Sequence, residues 1–193
     1  MIALIWAVFG YLLGSVPFGL VITRALGLGD LRQIGSGNIG ATNVLRTGNK
    51  GAALATLLLD SGKGAIAVLL ARYFGGETAA IMAGGAAFLG HCFPVWLRFN
   101  GGKGVATFLG TVLALYWPLG LTACAIWAAT AAVSRISSLS ALLAAALMPV
   151  FAGAMGMWPL AGVTAFMAVL IFVRHRANIT RLMNGTEPRI GKK

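Results

Sequence analysis

Residues 2–23 read IALIWAVFGYLLGSVPFGLVIT, an unbroken stretch without a charged side chain. At about 1.5 Å per residue it crosses a hydrocarbon core roughly 30 Å thick. It carries no Lys or Arg before it and no clear small-residue cleavage site, so it reads as a mature spanning helix and not as a signal peptide. Outward from it, further apolar runs cover Gly51 to Ala71, Thr78 to Leu97, Val105 to Trp117, Leu119 to Val133, Leu139 to Ala154 and Met157 to Val173. The expectation is an all-α integral membrane protein, a bundle of seven transmembrane helices forming one domain over residues 1–193.

Composition agrees. The hydrophobic fraction is 59% and the charged fraction only 10%, against roughly 25% charged in an ordinary soluble protein. The net charge of +11 does not point to nucleic acid, because the basic residues sit between apolar runs, where anionic headgroups explain them. Cys92 and Cys124 lie in apolar stretches without CxxC spacing and imply neither disulfide nor metal site. With the N-terminus outside, alternation puts Arg24, Arg32, Arg46, Lys50, Arg98, Lys103, Arg135, Arg174, Arg176, Arg181, Arg189, Lys192 and Lys193 on the cytoplasmic side. It leaves Arg72 outside and Lys63 within a helix. The positive-inside rule fixes that orientation.

The runs Val105–Trp117 and Leu119–Val133, split by Pro118, are short. At 13 and 15 residues each covers only about 20 Å. They read as two short spans or, in the lesser alternative of five helices, as a re-entrant hairpin. Both keep the C-terminus inside.

Two glycine-rich, basic segments interrupt the apolar chain: Gly-Ser-Gly-Asn-Ile-Gly-Ala-Thr-Asn-Val-Leu-Arg over Gly35 to Arg46, and Asn-Gly-Gly-Lys-Gly-Val-Ala-Thr over Asn100 to Thr107. Glycines let backbone N–H groups turn toward one point, and Ser, Thr, Asn, Arg and Lys add hydrogen bonds and charge that phosphate oxygens accept. The first contains GxGxxG at Gly35, Gly37 and Gly40, but no strand precedes it and no acid follows at dinucleotide spacing. Lys103 is followed by Gly104, so no GxxxxGK[ST] loop exists. The topology puts both segments and the basic tail on one membrane face, which points to a phosphorylated substrate.

Asp60 and Lys63 share a helix face and form either a structural ion pair or part of a polar cavity lined by Lys63. His91 reads as a helix-packing histidine. His175, beside Arg174, Arg176, Asn178 and Arg181, reads as a site residue. Only four acids, Asp30, Asp60, Glu77 and Glu187, are scattered along the chain, so no multi-carboxylate Mg²⁺ site is expected. Neither histidine begins HxxxxD, and GxSxG is absent. A site rich in phosphate ligands and poor in strong bases suits a substrate that already carries an activated leaving group.

The segments Gly35–Asn43 with Arg46, Phe99–Thr107, and His175–Leu182 with Gly185 and Glu187 closely resemble the three motifs of the bacterial acyl-phosphate-dependent glycerol-3-phosphate acyltransferases. The resemblance covers essentially the whole chain. It implies an inner-membrane enzyme that moves a fatty acyl group from acyl phosphate to the 1-hydroxyl of glycerol 3-phosphate, giving lysophosphatidic acid and phosphate. Acyl-CoA and acyl carrier protein are not direct donors. No cofactor, metal or nucleic acid is expected; the partners are the two substrates and membrane lipids, with the oligomeric state left open.

Two phosphates must then be held. Ser36, Asn38, Thr42 and Arg46, with the loop containing Gly35, Gly37, Gly40 and Asn43, are assigned to one anion. Gly101, Gly102, Lys103, Gly104 and Thr107 are assigned mainly to glycerol 3-phosphate. Ser36, His175 and Asn178 are the catalytic candidates, Arg181 adds positive potential, Lys63 lines the cavity, and Glu187 bonds a glycerol hydroxyl or pairs with Arg181 or Arg189. The rival reading is a transporter or flippase for a phosphorylated anion. Against it, the polar groups gather on one face, whereas alternating access needs a midplane site and usually structural repeats.

Overall fold

Inside a bilayer no water satisfies the peptide groups, so apolar runs close their hydrogen bonds internally as helices. The computed structural model describes residues 1–191; Lys192 and Lys193, counted above among the cytoplasmic cations, lie outside the described residues. In order the helices are α1 (Ile2–Gly14), α2 (Phe18–Ala25), α3 (Ala41–Val44), α4 (Lys50–Cys92), α5 (Val105–Leu115), α6 (Trp117–Ser134), α7 (Ser137–Ala154), α8 (Trp158–Arg174) and α9 (Arg176–Met183). Among the described residues four stretches are long and apolar enough to cross a membrane, or five if α8 and α9, bent by 64°, are one span.

The second and third apolar runs follow one another without a loop in α4. Its 43 residues contain Gly76 at φ 79°, ψ −174°, and there the helix folds back. Lys63 and His91 are 28 residues apart yet in hydrogen-bond contact at 3.0 Å, where a straight helix would separate them by about 42 Å. The two arms, residues 50–75 and 77–92, are the second and third apolar runs. The first run is likewise broken, at Pro17, which cannot donate to a helical ladder. All seven apolar runs are helical, but α5 has only 11 residues and covers about 16 Å.

Glycines set the packing distances. A Cβ on Gly10 or Gly14 would lie 2.3 Å or 2.0 Å from the carbonyl oxygen of Ala83 or Ala87, so α1 rides directly on the backbone of the second arm of α4. Gly64 and Gly84 do the same for α5, facing Thr111 from the two arms. The main core, with Val68, Phe88, Phe108, Val112, Met148, Met167 and Ile171, joins α4, α5, α7 and α8. At the end of the bundle near Gly76, Arg72 pairs with Glu77 and donates to the carbonyls of Ala114 and Leu115, satisfying the C-terminus of α5. The other end carries both glycine-rich segments and α9.

Candidate active site

The first loop is organised by one buried side chain. The Asn43 amide donates to the carbonyls of Leu31 at 2.9 Å, Ile34 at 2.9 Å and Asn38 at 2.7 Å. Its oxygen accepts from the Ser36 N–H at 3.2 Å, the Ser36 hydroxyl at 3.4 Å and Arg46 Nη1 at 3.2 Å. Asn43 therefore builds the loop, and its assignment as a substrate ligand is corrected: both ends of its amide are spent on the protein. Gly35 takes φ 54°, and a Cβ there would meet the Arg46 side chain at 2.6 Å, so only glycine lets the arginine lie across the loop. The side chains of Ser36, Thr42 and Arg46 remain exposed, Asn38 is half-buried, and Gly40 opens the short helix α3.

The second loop differs from expectation. The N–H groups of Gly101 and Gly102 donate to the carbonyls of Cys92 at 3.2 Å and His91 at 3.1 Å, so they are not free to bind an anion. Their carbonyls accept from Arg174, at 2.6 Å from Nη2 for Gly101 and 3.1 Å from Nε for Gly102. These glycines are present for close approach: a Cβ on Gly102 would lie 2.2 Å from His91 Nε2, and one on Gly101 2.2 Å from the His91 carbonyl oxygen. Gly104, at φ 83°, packs on the Phe88 ring and begins α5. Thr107 is wholly buried toward Gly64, and its hydroxyl lacks a partner among the described residues. It does not face the basic cluster as its assignment required. What remains of the expected anion site here is Lys103 at the open N-terminal pole of α5.

Lys103 donates to the side-chain oxygen Oδ1 of Asn178, and the Asn178 Nδ2 donates to Glu187. Glu187 also accepts from Ser138 at 2.7 Å and from Arg181 Nε at 2.7 Å. Glu187 is thus a clasp that fastens the C-terminal segment to α7 and α9, and of the two roles expected for it the pairing with Arg181 is the one observed. The first loop joins through the contact of the Thr42 and Ser137 hydroxyls at 3.5 Å, one residue from Ser138. The structure brings together Thr42, Lys103, Asn178, Arg181 and Glu187, with Arg46 near enough to bear on the Lys103 charge.

Lys63 does not belong. It is 2% exposed, and Nζ donates to Asp60 at 2.7 Å, to the Val16 carbonyl at 2.8 Å and to His91 Nδ1 at 3.0 Å. Three protons have three partners, so its assignment as a substrate ligand is corrected. The break at Pro17 takes the Val16 carbonyl out of the helical ladder, so that it accepts from the Phe18 N–H at 3.2 Å and has room for Lys63.

Burial, with Arg181, Arg174 and Arg46 nearby and Glu187 opposing, lowers the Lys103 pKa from its ordinary value. His175 lies past the end of α8 and is 2% exposed. Its Nδ1 lies 2.8 Å from the Ile171 carbonyl and so carries the proton of the neutral ring. Burial first, with the charges of Lys103 and Arg174 adding to it, pulls its pKa down to about 4. Burial pushes the Glu187 carboxyl upward, yet the hydrogen bonds from Asn178, Ser138 and Arg181 hold it below the usual range. Arg174 and the Ser137–Ser138 pair escaped sequence reasoning; the only signal for them was a serine pair opening an apolar run and a cation next to His175.

Residues 4–185 match the family described as glycerol-3-phosphate acyltransferase. The chain belongs to that family. A glycerol-3-phosphate acyltransferase of Cereibacter sphaeroides is 70% identical over 96% of this chain and 89% of its own length. One from Ruegeria pomeroyi is 61% identical over the whole chain and 95% of its own length. Among solved structures, the glycerol 3-phosphate form of PlsY, an integral membrane glycerol 3-phosphate acyltransferase, superimposes with a TM-score of 0.93 at 39% identity, covering 98% of this chain and 96% of that one. Its lysophosphatidic acid form gives 0.90 at 38% identity, over 98% of this acyltransferase and 95% of that chain.

Proposed function

We propose that this acyltransferase moves a fatty acyl group from acyl phosphate to the 1-hydroxyl of glycerol 3-phosphate, at the cytoplasmic face of the bacterial inner membrane. The observation that carries this reading is the gathering of Lys103, Asn178 and the Ser36–Arg46 loop in one cationic cluster at the end of an apolar bundle. Such a cluster suits a pair of phosphates, and its place at one end of the bundle counts against the rival transporter or flippase for a phosphorylated anion, which needs a site midway along it.

In the reaction the 1-hydroxyl oxygen attacks the acyl carbonyl carbon, the C–O bond to phosphate breaks, and inorganic phosphate leaves. Lys103, at the pole of α5, binds the phosphate of glycerol 3-phosphate. Ser36, Asn38, Thr42 and Arg46 hold the phosphate that leaves, as the flexible cationic arm and hydroxyls of an anion site do. Asn178, fixed between Lys103 and Glu187, orients the acceptor, and His175 Nε2 accepts a hydrogen bond in its neutral state. The proton passes to a substrate phosphate oxygen, whose second pKa near 6 makes it a competent acceptor at neutral pH. An apolar groove of about 730 Å³ runs along Leu57, Ser61, Leu69, Ala106, Leu113 and Trp117, between α4, α5 and α6. It is the path for the acyl chain.

Purified protein in detergent, given palmitoyl phosphate and glycerol 3-phosphate, is expected to release phosphate and form lysophosphatidic acid in equal amounts. Turnover with palmitoyl-CoA and none with the acyl phosphate overturns the donor assignment.

A further inference from the structure

Charged groups deep in a membrane bundle are costly, and a buried ion pair is rarely worth more to stability than the apolar residues that could replace it. Asp60, Lys63 and His91 are 2%, 2% and 5% exposed, and none of them reaches the substrate recess. Their contacts nonetheless lead to it. Lys63 ties three segments together: its own arm of α4 through Asp60, the α1–α2 break through the Val16 carbonyl, and the end of the second arm through His91 Nδ1.

Because Nδ1 accepts from the ammonium, the neutral His91 ring carries its proton on Nε2, the edge packed against Gly102. The same residue's carbonyl receives the Gly102 N–H at 3.1 Å, and the adjoining Cys92 carbonyl receives that of Gly101. One residue further, the Tyr11 hydroxyl donates to the Phe93 carbonyl at 2.8 Å, anchoring this chain end to α1. From the opposite side Arg174 holds the carbonyls of the same two glycines. Gly101–Gly102 is thus clamped between His91 and Arg174, and the next residue is Lys103.

We propose that the Asp60–Lys63–His91 cluster is a positioning device for the acceptor site: through the His91 ring and carbonyl it sets where Gly102 sits and hence where Lys103 presents its ammonium, without touching substrate. The proposal rests on the reading that Lys103 binds the phosphate of glycerol 3-phosphate. Its consequence is a defect in acceptor affinity from residues outside the recess.

The test compares His91→Leu, which removes the acceptor, with His91→Asn, which offers an amide oxygen near the Nδ1 position. KM for glycerol 3-phosphate, kcat, KM for palmitoyl phosphate, and the thermal shift produced by glycerol 3-phosphate in detergent are measured for each. His91→Leu is expected to raise the acceptor KM about tenfold, the equivalent of one lost hydrogen bond to a charged group, and to shrink the ligand-induced thermal shift. The donor KM should hold, kcat should fall far less than the acceptor KM rises, and His91→Asn should recover most of the loss. The neutralising pair Asp60→Asn with Lys63→Met carries the same expectation if His91→Leu does not fold. Lys103→Ala runs beside them. If it leaves glycerol 3-phosphate binding unchanged, the premise falls and the proposal with it; if it weakens binding while the cluster variants bind normally, or lose only stability and kcat, the cluster is a fold element and the proposal alone is overturned.

Discussion

Replacing Asn43 by alanine isolates the first loop from the rest of the enzyme. The substitution removes the donor shared by the carbonyls of Leu31, Ile34 and Asn38 and the acceptor for the Ser36 N–H and Arg46. Counting the two amide protons, shared among the three carbonyls, and the bond accepted from the Ser36 N–H, at about 1 kcal/mol net for each hydrogen bond, the ordered loop loses about 3 kcal/mol. If turnover requires that loop, kcat/KM falls by about 100-fold or somewhat more, since each 1.4 kcal/mol is a factor of ten. Unfolding should be affected far less, because the bundle core of Phe88, Phe108, Met148 and Met167 lies elsewhere and makes no use of Asn43. The assay is phosphate release from palmitoyl phosphate with glycerol 3-phosphate varied, with Tm measured on the same preparation. Asn43→Asp is the control. It keeps the acceptor for Ser36 and Arg46 but sets a carboxylate against three carbonyl oxygens, so it should be at least as impaired. An Asn43→Ala enzyme within about threefold of the parent would refute the reasoning, because the loop would then be held by something other than these bonds.

Lys103→Ala should raise KM for glycerol 3-phosphate more than it lowers kcat, since a ligand to the non-reacting phosphate serves ground state and transition state alike; a kcat loss of about 100-fold at constant KM would place Lys103 on the reacting phosphate instead. Full activity is expected in excess EDTA, because the four acids are Asp30 and Glu77 on arginines, Asp60 on Lys63 and Glu187 in the clasp, and a collapse reversed by Mg²⁺ counts against it. With its pKa near 4, His175 takes no proton between pH 6.5 and 4 while the unfolded chain does, so its contribution to stability is complete above about 6.5 and is lost as pH falls toward 4. Any rate inflection near pH 6 then belongs to a substrate phosphate and should survive in His175→Gln; its disappearance there would assign the titration to His175.

The helices were legible because a bilayer leaves an apolar run no alternative to a hydrogen-bonded helix. The convergence of the two glycine-rich segments and the tail was legible as well, from charge asymmetry alone. The function of the individual glycines was not. A glycine next to a lysine looks the same in sequence whether its N–H faces an anion or its missing Cβ admits a histidine ring, and Gly102 is of the second kind. Asn43 and Glu187 were visible as polar residues inside the motifs, but whether a polar side chain faces the ligand or the loop depends on contacts such as Asn43 to Leu31, across 12 residues, and Glu187 to Ser138, across 49. His91 read as a helix-packing histidine because its polar neighbours Asp60 and Lys63 are on the other arm of α4, brought near by the reversal at Gly76.

The short fifth helix, the least convincing span by length, is what sets the place of Lys103. Lys63 and His91 sit side by side, so the second arm of α4 stops where the first arm still has 13 residues to run back to Lys50, about 20 Å. α2 and α3 pack along that extension. Gly101 and Gly102 bond the carbonyls of Cys92 and His91, so the N-terminal pole of the 11-residue α5 and Lys103 start beside the end of that second arm, flanked by the longer first arm. There, partial burial lowers the effective dielectric around Lys103 and strengthens its attraction to a phosphate. The apolar groove has Ala106 in its lining, three residues along the chain from Lys103, so under the proposed reaction the acyl chain and the acceptor phosphate lie close together.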